Sequence, residues 1–372
     1  MNKKENSTPV RILQIVSSAY VGSGVLQVVL NWHRRLDRSK VQFDYLFLLP
    51  TCHSCQAEIE ALGGRVEQLP NIGKNPFRFL KSAVAFFRQH RYLTIHSHIT
   101  HLNLLFFPLA KFFGAKTIIQ HAHGTQYSDK ALPALRNRLM LGAVRPLITH
   151  QMACSTAAGK FYFGKKFTLV NNAIELEKFT YNPQARAEKR KELGVENLFV
   201  IGHIGRFNEQ KNHTFLVDTF AEAVKLNPQC VLLLVGSGPL EEKIKAKARL
   251  MGLDNKVKFL GARRDTPALL QAFDVFCMPS FYEGLPLAAV EAQAAGLACV
   301  LSCGITDESV LLPCSGRLPL EAGPEAWAQR LLTQVCFERK QGIERLKQKG
   351  FDISDSALQM QKFYESMPGG TL

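Results

Sequence analysis

The feature that most constrains this chain is a regular alternation of short apolar runs with segments of helical periodicity, which restarts near residue 180. The first series predicts strands at residues 11–16, 42–49, 65–69, 94–96, 117–121, 151–154 and 167–170. After a charged helix at 184–193, a second series predicts strands at 199–205, 231–235, 257–260, 275–278 and 298–301, with helices at 212–226, 240–251 and 266–272. Strands that alternate with helices form parallel α/β sheets, so the sequence predicts two doubly wound, Rossmann-like domains.

The length of 372 residues agrees with two domains. We predict an N-terminal domain at residues 1–180, a C-terminal domain at 181–350, and a last helix within 351–372 that packs back toward the N-terminal domain. With 46% apolar and 21% charged residues, the chain can bury two cores and is not disordered. Ligands of open parallel sheets bind beyond the carboxyl ends of the strands, so the loops there are expected to carry the chemistry.

Three sequence features point to a cytoplasmic protein. The longest apolar run, 102–115, is interrupted by Asn103 and Lys111 and predicts a buried helix, because a membrane-spanning helix needs about 18 apolar residues. Residues 1–9 are polar and lack the apolar core of a signal peptide. The nine cysteines are odd in number and irregularly spaced, which fits a reducing compartment, and the pair Cys52 and Cys55 has no second pair to complete a metal site.

The net charge of +15 is unevenly distributed along the chain. Residues 1–180 contain 23 Lys and Arg against 9 Asp and Glu, whereas residues 181–372 contain 23 against 22. A basic half suggests an anionic partner such as nucleic acid, an anionic membrane surface or a phosphorylated lipid, and the alternative is a generally basic surface. The chain shows no nucleic-acid-binding module, so we expect no nucleic acid partner.

A basic amphipathic helix is predicted at residues 77–89. Its apolar arc contains Phe77, Phe79, Leu80, Ala83, Val84, Phe86 and Phe87, and its polar face carries Arg78, Lys81 and Arg88. Such a helix can lie on a membrane, and the alternative is an ordinary helix that faces the core.

Two glycine-containing turns follow predicted strands. Gly22, Ser23 and Gly24 open the first helix, where backbone N–H groups and the helix dipole can bind an anion. The third glycine of a dinucleotide fingerprint is absent because Gln27 stands there, so a tight turn without a ligand is the alternative. Gly236 lies in a similar turn that can contact a nucleotide.

Cations follow the first strand of the second series. Arg206 and Lys211 lie five residues apart in the loop before the helix at 212–226. A diphosphate that becomes a leaving group needs fixed positive charge of this kind, and the alternative is a pair of solvated surface charges.

Two glutamates lie in and after another loop of the second series. Glu283 is in the loop, next to Gly284, Leu285 and Pro286, whereas Glu291 is about two turns into an apolar helix. A carboxylate among apolar residues is costly unless it binds something, and a ribose diol would supply two hydrogen bonds. Glu283 lies nearer the strand end, where sugar hydroxyls would reach it; two exposed glutamates are the alternative.

Histidines cluster after two strands of the first series. His96, His98 and His101 follow one strand, and His121 and His123 follow the next. Strand alternation places the members of each pair, 96 with 98 and 121 with 123, on one side. These histidines could line a cleft, could be core residues hydrogen-bonded to the backbone, or could bind zinc. No carboxylate or cysteine set accompanies them, so we expect no metal.

Together these loops resemble glycosyltransferase family 4, whose members are retaining enzymes with the GT-B fold. The resemblance runs from about Arg11 to Tyr364. It is most specific at Gly205-Arg206-Phe207 with Lys211-Asn212, at the segment with Glu283 and Glu291, and at Val170-Asn171-Asn172-Ala173-Ile174-Glu175 with Phe179. Within the family the chain is similar to bacterial enzymes of capsular polysaccharide and exopolysaccharide synthesis.

The resemblance implies an active site in a cleft between two Rossmann-like domains and supplies roles for the residues. It implies catalytic roles for His98, Glu283, Arg206 and Lys211. It implies donor binding by Gly22, Ser23, Gly24, Arg206, Lys211, Gly236, Glu283, Gly284, Leu285, Pro286 and Glu291, and an acceptor side at His121 and His123. In the first loop, relatives often have Gly-Gly-Ala-Glu where this chain has Gly22-Ser23-Gly24-Val25, so this chain lacks the acidic side chain of those relatives.

The implied activity is the retaining transfer of a hexose or N-acetylhexosamine from a nucleotide sugar, expected to be a UDP-sugar, to a lipid-linked glycan. No cofactor and no metal are expected, and the basic first half is expected to meet the inner face of the plasma membrane. The alternatives are a GT-B sugar-nucleotide epimerase and a non-catalytic family member that acts as a binding partner.

Overall fold

A computed structural model describes residues 9–49, 54–128, 131–334 and 338–367 of the chain. Its contacts divide the chain into two compact units. Unit 1 comprises Met1–Ala173 together with Ile353–Leu372, and unit 2 comprises Ile174–Asp352.

Unit 1 contains a parallel sheet of seven strands in the order β3-β2-β1-β4-β5-β6-β7. The strands are β1 (Val10–Ser18), β2 (Val41–Leu49), β3 (Val66–Gln68), β4 (Thr94–Ser97), β5 (Thr117–Ala122), β6 (His150–Ala153) and β7 (Thr168–Leu169). Each corresponds to a predicted strand within a few residues. The central strands are buried on both faces because helices cover both faces of such a sheet.

The helices of unit 1 form the layers on this sheet. They are α1 (Gly24–Arg35), α2 (Gln56–Ala61), α3 (Pro76–His90), α4 (Asn103–Phe112), α5 (Ala131–Val144), α6 (Thr156–Phe163) and, from the end of the chain, α14 (Ile353–Glu365). Helices α3, α4 and α5 share one core cluster, in which Phe79, Phe87, Phe106 and Leu141 are buried. Helix α14 packs on α1, where Trp32 Nε1 donates a hydrogen bond to Ser356 Oγ over 3.1 Å.

Unit 2 repeats the same topology with six parallel strands in the order β10-β9-β8-β11-β12-β13. These are β8 (Phe199–Ile204), β9 (Cys230–Val235), β10 (Val257–Phe259), β11 (Val275–Met278), β12 (Ala298–Ser302) and β13 (Gly316–Leu318). Its helices are α7 (Pro183–Leu193), α8 (His213–Leu226), α9 (Glu241–Leu250), α10 (Thr266–Ala272), α11 (Leu287–Ala294), α12 (Gly323–Thr333) and α13 (Gly342–Gln348). The sequence did not predict β13, α12 or α13, and β13 is an edge strand of only three residues, too short for a periodic pattern.

Two helices with predicted apolar surfaces expose part of those surfaces. In α3, Phe79, Ala83, Phe86 and Phe87 are buried, but Phe77 is 84% exposed and Leu80 is also exposed. The predicted buried helix at 102–115 is α4, and its residue Phe112 is 82% exposed. The prediction of a buried helix at 102–115 is therefore wrong at Phe112, and α3 exposes part of its apolar arc, since the sheet covers only one side of each helix.

Two further findings concern the membrane and the cysteines. Within the part of the chain that the structure describes, every helix is too short or too polar to cross a membrane. Cys55 is a buried thiol and Cys314 is disulfide-bonded. The other half of the predicted pair, Cys52, lies outside the described residues.

Candidate active site

In unit 1 the first loop ends at the start of α1. Ser23 caps the helix, since its Oγ accepts a hydrogen bond from the Leu26 N–H over 3.4 Å. A Cβ on Gly22 would lie 2.6 Å from the ring of Tyr20, whereas the space around Gly24 is open. Gly24 therefore leaves the N-terminus of α1 accessible to a ligand, and the helix dipole there favours an anion.

The carboxyl ends of β4 and β5 bring His96, His98, His121 and His123 together, and we call these four residues the histidine group. His96 and His121 are hydrogen-bonded through Nε2 and Nδ1 over 3.2 Å. His98 and His123 are hydrogen-bonded through Nδ1 and Nε2 over 2.8 Å. Strand alternation predicted correctly that each pair shares a side. The fifth histidine of the prediction, His101, is exposed and outside this group.

The histidine group is electrically neutral. Burial lowers the pKa of His96, His98 and His121 well below the usual value, and it lowers the pKa of His123 to about 3. Desolvation disfavours the charged imidazolium, and neighbouring histidines add to that effect at the first three positions. Near neutral pH these rings therefore act through hydrogen bonds and not through charge.

A metal could use part of this group. Ligand nitrogens of His96, His98 and His121 lie within 4.8 Å of one another. However, both ring nitrogens of His96 and of His98 already have hydrogen-bond partners in the protein. A metal ion would have to replace those hydrogen bonds, so the geometry fits a hydrogen-bonded network better than a ligand set.

Sequence reasoning missed three residues that contact the histidine group. Gln14 lies in β1 opposite His96, and its Oε1 is 2.9 Å from His98 Nε2. Tyr364 Oη is 2.6 Å from His96 Nδ1. Trp32 stacks on the rings, with its centroid 5.9 Å from that of His121. Gln14 could have been found, because a polar residue inside an apolar strand indicates a special role. Tyr364 and Trp32 could not, because both fit the pattern of ordinary helix residues.

In unit 2 the loop with Arg206 and Lys211 follows β8. The Gly205 N–H donates to the Val235 carbonyl over 2.9 Å, and a Cβ on Gly236 would lie 2.0 Å from the Gly205 carbonyl oxygen. Gly236 has φ +141°, so a side chain there is excluded by both backbone conformation and space. The two turns therefore pack directly on each other, and Arg206 is left exposed next to them.

This loop is joined to the loop after β11 by an ion pair. Lys211 Nζ lies 2.6 Å from Glu283 Oε1, and both side chains are largely buried. The Phe281 N–H donates to the Gln210 carbonyl over 2.8 Å, and Gln210 Nε2 donates to the Tyr282 carbonyl over 3.0 Å. The sequence predicted a site at both loops but did not predict that Lys211 and Glu283 pair.

Glu291 lies on α11, which begins directly after Gly284, Leu285 and Pro286, all buried. Its carboxyl group forms no side-chain hydrogen bond or ion pair with the residues that the structure describes. The side chain is half-buried, and burial raises its pKa to about 8. Glu291 is therefore a partly buried carboxyl group in the apolar helix that the sequence predicted, and it has no protein partner among the described residues.

Comparisons with known proteins agree with this organisation. The profile of a family described as "Glycosyl transferases group 1" matches residues 199–334. The chain is 34% identical over 368 residues to the putative glycosyltransferase EpsF of Bacillus subtilis (strain 168), covering 94% of this chain and 95% of that protein. It is 30% identical over 242 residues to the UDP-Gal:alpha-D-GlcNAc-diphosphoundecaprenol alpha-1,3-galactosyltransferase of Escherichia coli, covering 60% of this chain and 62% of that one.

The fold is also found in solved structures. Anabaena Alr3699/HepE in complex with UDP-glucose superimposes with a TM-score of 0.79 at 20% identity, covering 96% of this chain and all of that one. This likeness confirms the predicted fold, two parallel-sheet Rossmann-like domains of the GT-B class.

Proposed function

Because the chain belongs to the glycosyl transferases group 1 family, we propose that it is a retaining, metal-independent hexosyltransferase of glycosyltransferase family 4. Its donor is a UDP-hexose or UDP-N-acetylhexosamine, and its acceptor is a glycan on a polyprenyl diphosphate lipid. The product is a capsular polysaccharide or exopolysaccharide. The observation that carries the proposal is the 2.6 Å ion pair of Lys211 and Glu283, which joins the two loops expected to bind the donor.

The negative charge of the leaving group accounts for the two cations, Arg206 and Lys211, in the loop after β8. A departing nucleoside diphosphate gains negative charge, and donors fixed in advance stabilise it without reorganisation. Lys211 is held by Glu283, and Arg206 is exposed beside it with no ion-pair partner among the described residues. Both cations would contact the diphosphate, and Glu283 would also contact the donor sugar. The acceptor hydroxyl then attacks on the face from which the diphosphate leaves, and no strong protein nucleophile is required.

The nucleoside would be held by Glu291. A ribose diol offers two O–H donors, and the half-buried carboxyl of Glu291 has free acceptor positions. The pKa of about 8 means that the carboxylate is poorly solvated before the donor binds. Ribose binding would therefore replace missing hydrogen bonds, which favours the bound state.

The acceptor side is assigned to unit 1 on charge. Between Glu67 and Glu175 the sequence contains 14 Lys and Arg but a single acidic residue, Asp129. Such a surface attracts anionic lipid headgroups and the diphosphate of a polyprenyl lipid, with about 1 kcal/mol for each cation near the membrane. We place the enzyme on the cytoplasmic face of the plasma membrane.

Exposed apolar side chains on α3, α4 and α5 support that placement. Phe77, Phe112, Leu132, Leu135 and Leu139 are all more than half exposed. These helices share one core cluster and carry exposed cations, among them Arg78, Lys81, Lys111, Arg136 and Arg138. Large apolar residues interspersed with cations fit a surface that lies in the headgroup layer.

The names of the relatives support the chemistry. The Escherichia coli relative is named for UDP-galactose and for a diphosphoundecaprenol acceptor, and the HepE structure contains UDP-glucose. Both names contain a uridine diphosphate sugar, and one of them also contains a lipid diphosphate.

The test is a donor panel with a polyprenyl diphosphate-linked glycan. We expect transfer from at least one UDP-sugar in the presence of a chelator, with the anomeric configuration of the donor retained in the product by NMR. Transfer from GDP-mannose alone would overturn the donor assignment. Inversion would overturn the mechanism, and loss of activity with the chelator would overturn metal independence. Conversion of a UDP-sugar without acceptor would identify an epimerase instead.

A further inference from the structure

A buried amide and a buried phenol connect the four rings of the histidine group into one hydrogen-bonded network. Gln14 and Tyr364 are both fully buried in unit 1, and Gln14 contacts both branches of the network. Because the rings are neutral, each one carries its proton on one of two nitrogens. The hydrogen bonds determine which nitrogen that is.

The first branch starts at the amide oxygen. Gln14 Oε1 can only accept, so His98 Nε2 donates to it over 2.9 Å. His98 Nδ1 is then unprotonated and accepts from His123 Nε2 over 2.8 Å. His123 therefore presents an unprotonated Nδ1, which is buried and has no hydrogen-bond partner within the described ranges.

The second branch starts at the amide nitrogen. Gln14 Nε2 donates to Tyr364 Oη over 3.4 Å, so the phenol hydroxyl donates to His96 Nδ1 over 2.6 Å. His96 Nε2 then donates to His121 Nδ1 over 3.2 Å. His121 consequently presents a buried Nε2–H that also lacks a partner among the residues described.

Reversing the amide of Gln14 would reverse every step of both branches. All four histidines would then carry the proton on Nδ1 instead of Nε2. We propose that Gln14 and Tyr364 are positioning residues that hold the whole histidine group in the Nε2–H tautomer.

This tautomer pattern has a chemical consequence. The rings of His121 and His123 lie 4.2 Å apart and nearly parallel, so a free N–H and a free lone pair stand on neighbouring rings. A hydroxyl group both accepts and donates one hydrogen bond, which makes it complementary to this pair. Resting on the proposed function, we infer that the acceptor hydroxyl binds to His121 and His123. The hydroxyl oxygen accepts a hydrogen bond from His121 Nε2–H, and the hydroxyl proton is donated to His123 Nδ1.

The direct test is ¹⁵N NMR of the full-length protein labelled at histidine, with resonances assigned by single substitutions. In the wild type we expect all four rings to show a protonated Nε2 and an unprotonated Nδ1. Tyr364→Phe removes the donor to His96 Nδ1, so His96 and His121 should become tautomer mixtures while His98 and His123 keep their pattern. The matched control is Tyr45→Phe, which removes a second buried phenol, 3.1 Å from His33 Nδ1, and should change the signals of His33 alone.

A second variant, Gln14→Glu, should reverse the tautomers of His96 and His121 instead of mixing them. The carboxylate of Gln14→Glu accepts from both neighbours, so Tyr364 would turn its proton toward it and accept from His96 Nδ1–H. The rings of His96 and His121 should then reverse to the Nδ1–H form, while His98 stays in the Nε2–H form. Protonated Nδ1 atoms in the wild type, or an unchanged His96 in both variants, would overturn the proposal.

Activity separates this proposal from the proposed function. Tyr364→Phe should lower kcat/KM about fivefold, because one neutral hydrogen bond favours one tautomer over the other by about that factor. Tyr45→Phe should leave kcat/KM unchanged. If the wild type transfers no sugar at all, the proposed function fails, but the NMR spectra still decide the tautomers. An unchanged kcat/KM with shifted tautomers would overturn the inferred role of His121 and His123 in acceptor binding.

Discussion

Two sheets with the same strand order position different chemistry at their carboxyl ends. In unit 1, β4 and β5 end in neutral, buried imidazoles that bond to each other. In unit 2, the loops after β8 and β11 contain a largely buried ion pair, and α11 holds a carboxyl group that has no partner in the part of the chain that the structure describes. Unit 1 links neutral groups in a hydrogen-bonded network that leaves one N–H and one lone pair without a partner among the described residues, whereas unit 2 holds charged groups.

This difference teaches how one fold can divide a reaction. Neutral hydrogen-bonding groups suit hydroxyls, which carry no net charge, and their geometry gives specificity. Fixed cations suit a diphosphate, whose charge grows as it leaves. The comparison therefore agrees with an acceptor side on unit 1 and a donor side on unit 2.

The largest expected effect is a difference in acid sensitivity. Burial strongly lowers the pKa of five histidines in unit 1, at positions 33, 96, 98, 121 and 123, and also lowers the pKa of His101 and His150, whereas among the described residues of unit 2 it strongly lowers the pKa of two, His203 and His213. The unfolded chain binds more protons below its histidine pKa of about 6.5, so stability falls as the pH falls through that value. Each such histidine costs about 2 kcal/mol between pH 7 and pH 5.

Hydrogen–deuterium exchange at the two pH values, corrected for intrinsic rates, measures this difference. Peptides of β4 and β5 should lose more protection than peptides of β8 and β11. Equal losses in both sheets would show that the histidine group is not held neutral by burial.

The next largest effect concerns the ion pair. Lys211→Ala and Glu283→Ala should each lower sugar transfer about 10²-fold or more, because one removes a charge at the leaving group and the other leaves Lys211 without its counter-ion. The matched control is Lys225→Ala, which breaks an exposed ion pair with Glu222 on the same unit. Radiolabelled transfer together with circular dichroism distinguishes lost chemistry from lost folding. Full activity in either variant would remove these residues from the site.

A smaller effect is expected at Glu291. Its pKa of about 8 means that the carboxylate forms only as the pH rises through that value, so donor affinity should increase from pH 6.5 to pH 9. Glu291→Gln should flatten this profile and raise the donor Kd about tenfold at pH 9, as calorimetry with UDP can measure.

The same residue predicts a stability change of opposite sign. A carboxyl pKa raised above its unfolded value lowers stability as the pH rises from about 4.5 to about 8. Glu291→Gln should therefore raise the Tm at pH 8.5 relative to the wild type, whereas Glu283→Gln should lower it by leaving Lys211 unpaired. A fall in Tm for both variants would mean that Glu291 has a protein partner.

The smallest expected effect concerns the surface of unit 1. Leu135→Ser with Leu139→Ser should weaken binding to vesicles that contain phosphatidylglycerol about fivefold, since two exposed leucines would no longer enter the headgroup layer. Leu250→Ser is the control, because Leu250 is equally apolar and 89% exposed but lies on unit 2. Binding is measured by sedimentation with the vesicles. If Leu250→Ser weakened vesicle binding as much as the double variant, binding would depend on general hydrophobicity and not on the surface of unit 1.

Much of the site was predictable because its signals are local. Glycines at the turns, cations in the loop after β8 and a glutamate inside the apolar helix α11 each stand out within a few residues. The pairing of Lys211 with Glu283 could not be predicted, since the two are 72 residues apart and each has an independent interpretation.

The sequence by itself determined two parallel α/β sheets, the basic character of the first half and the residue types at the strand ends, because periodicity and composition are properties of short stretches. Only the tertiary structure decided which polar groups meet. Tyr364 reaches His96 from 268 positions away, and the proton positions of four rings then depend on one amide. Hydrogen bonds depend on distance and direction between specific atoms, and packing sets those for residues that are remote in the chain.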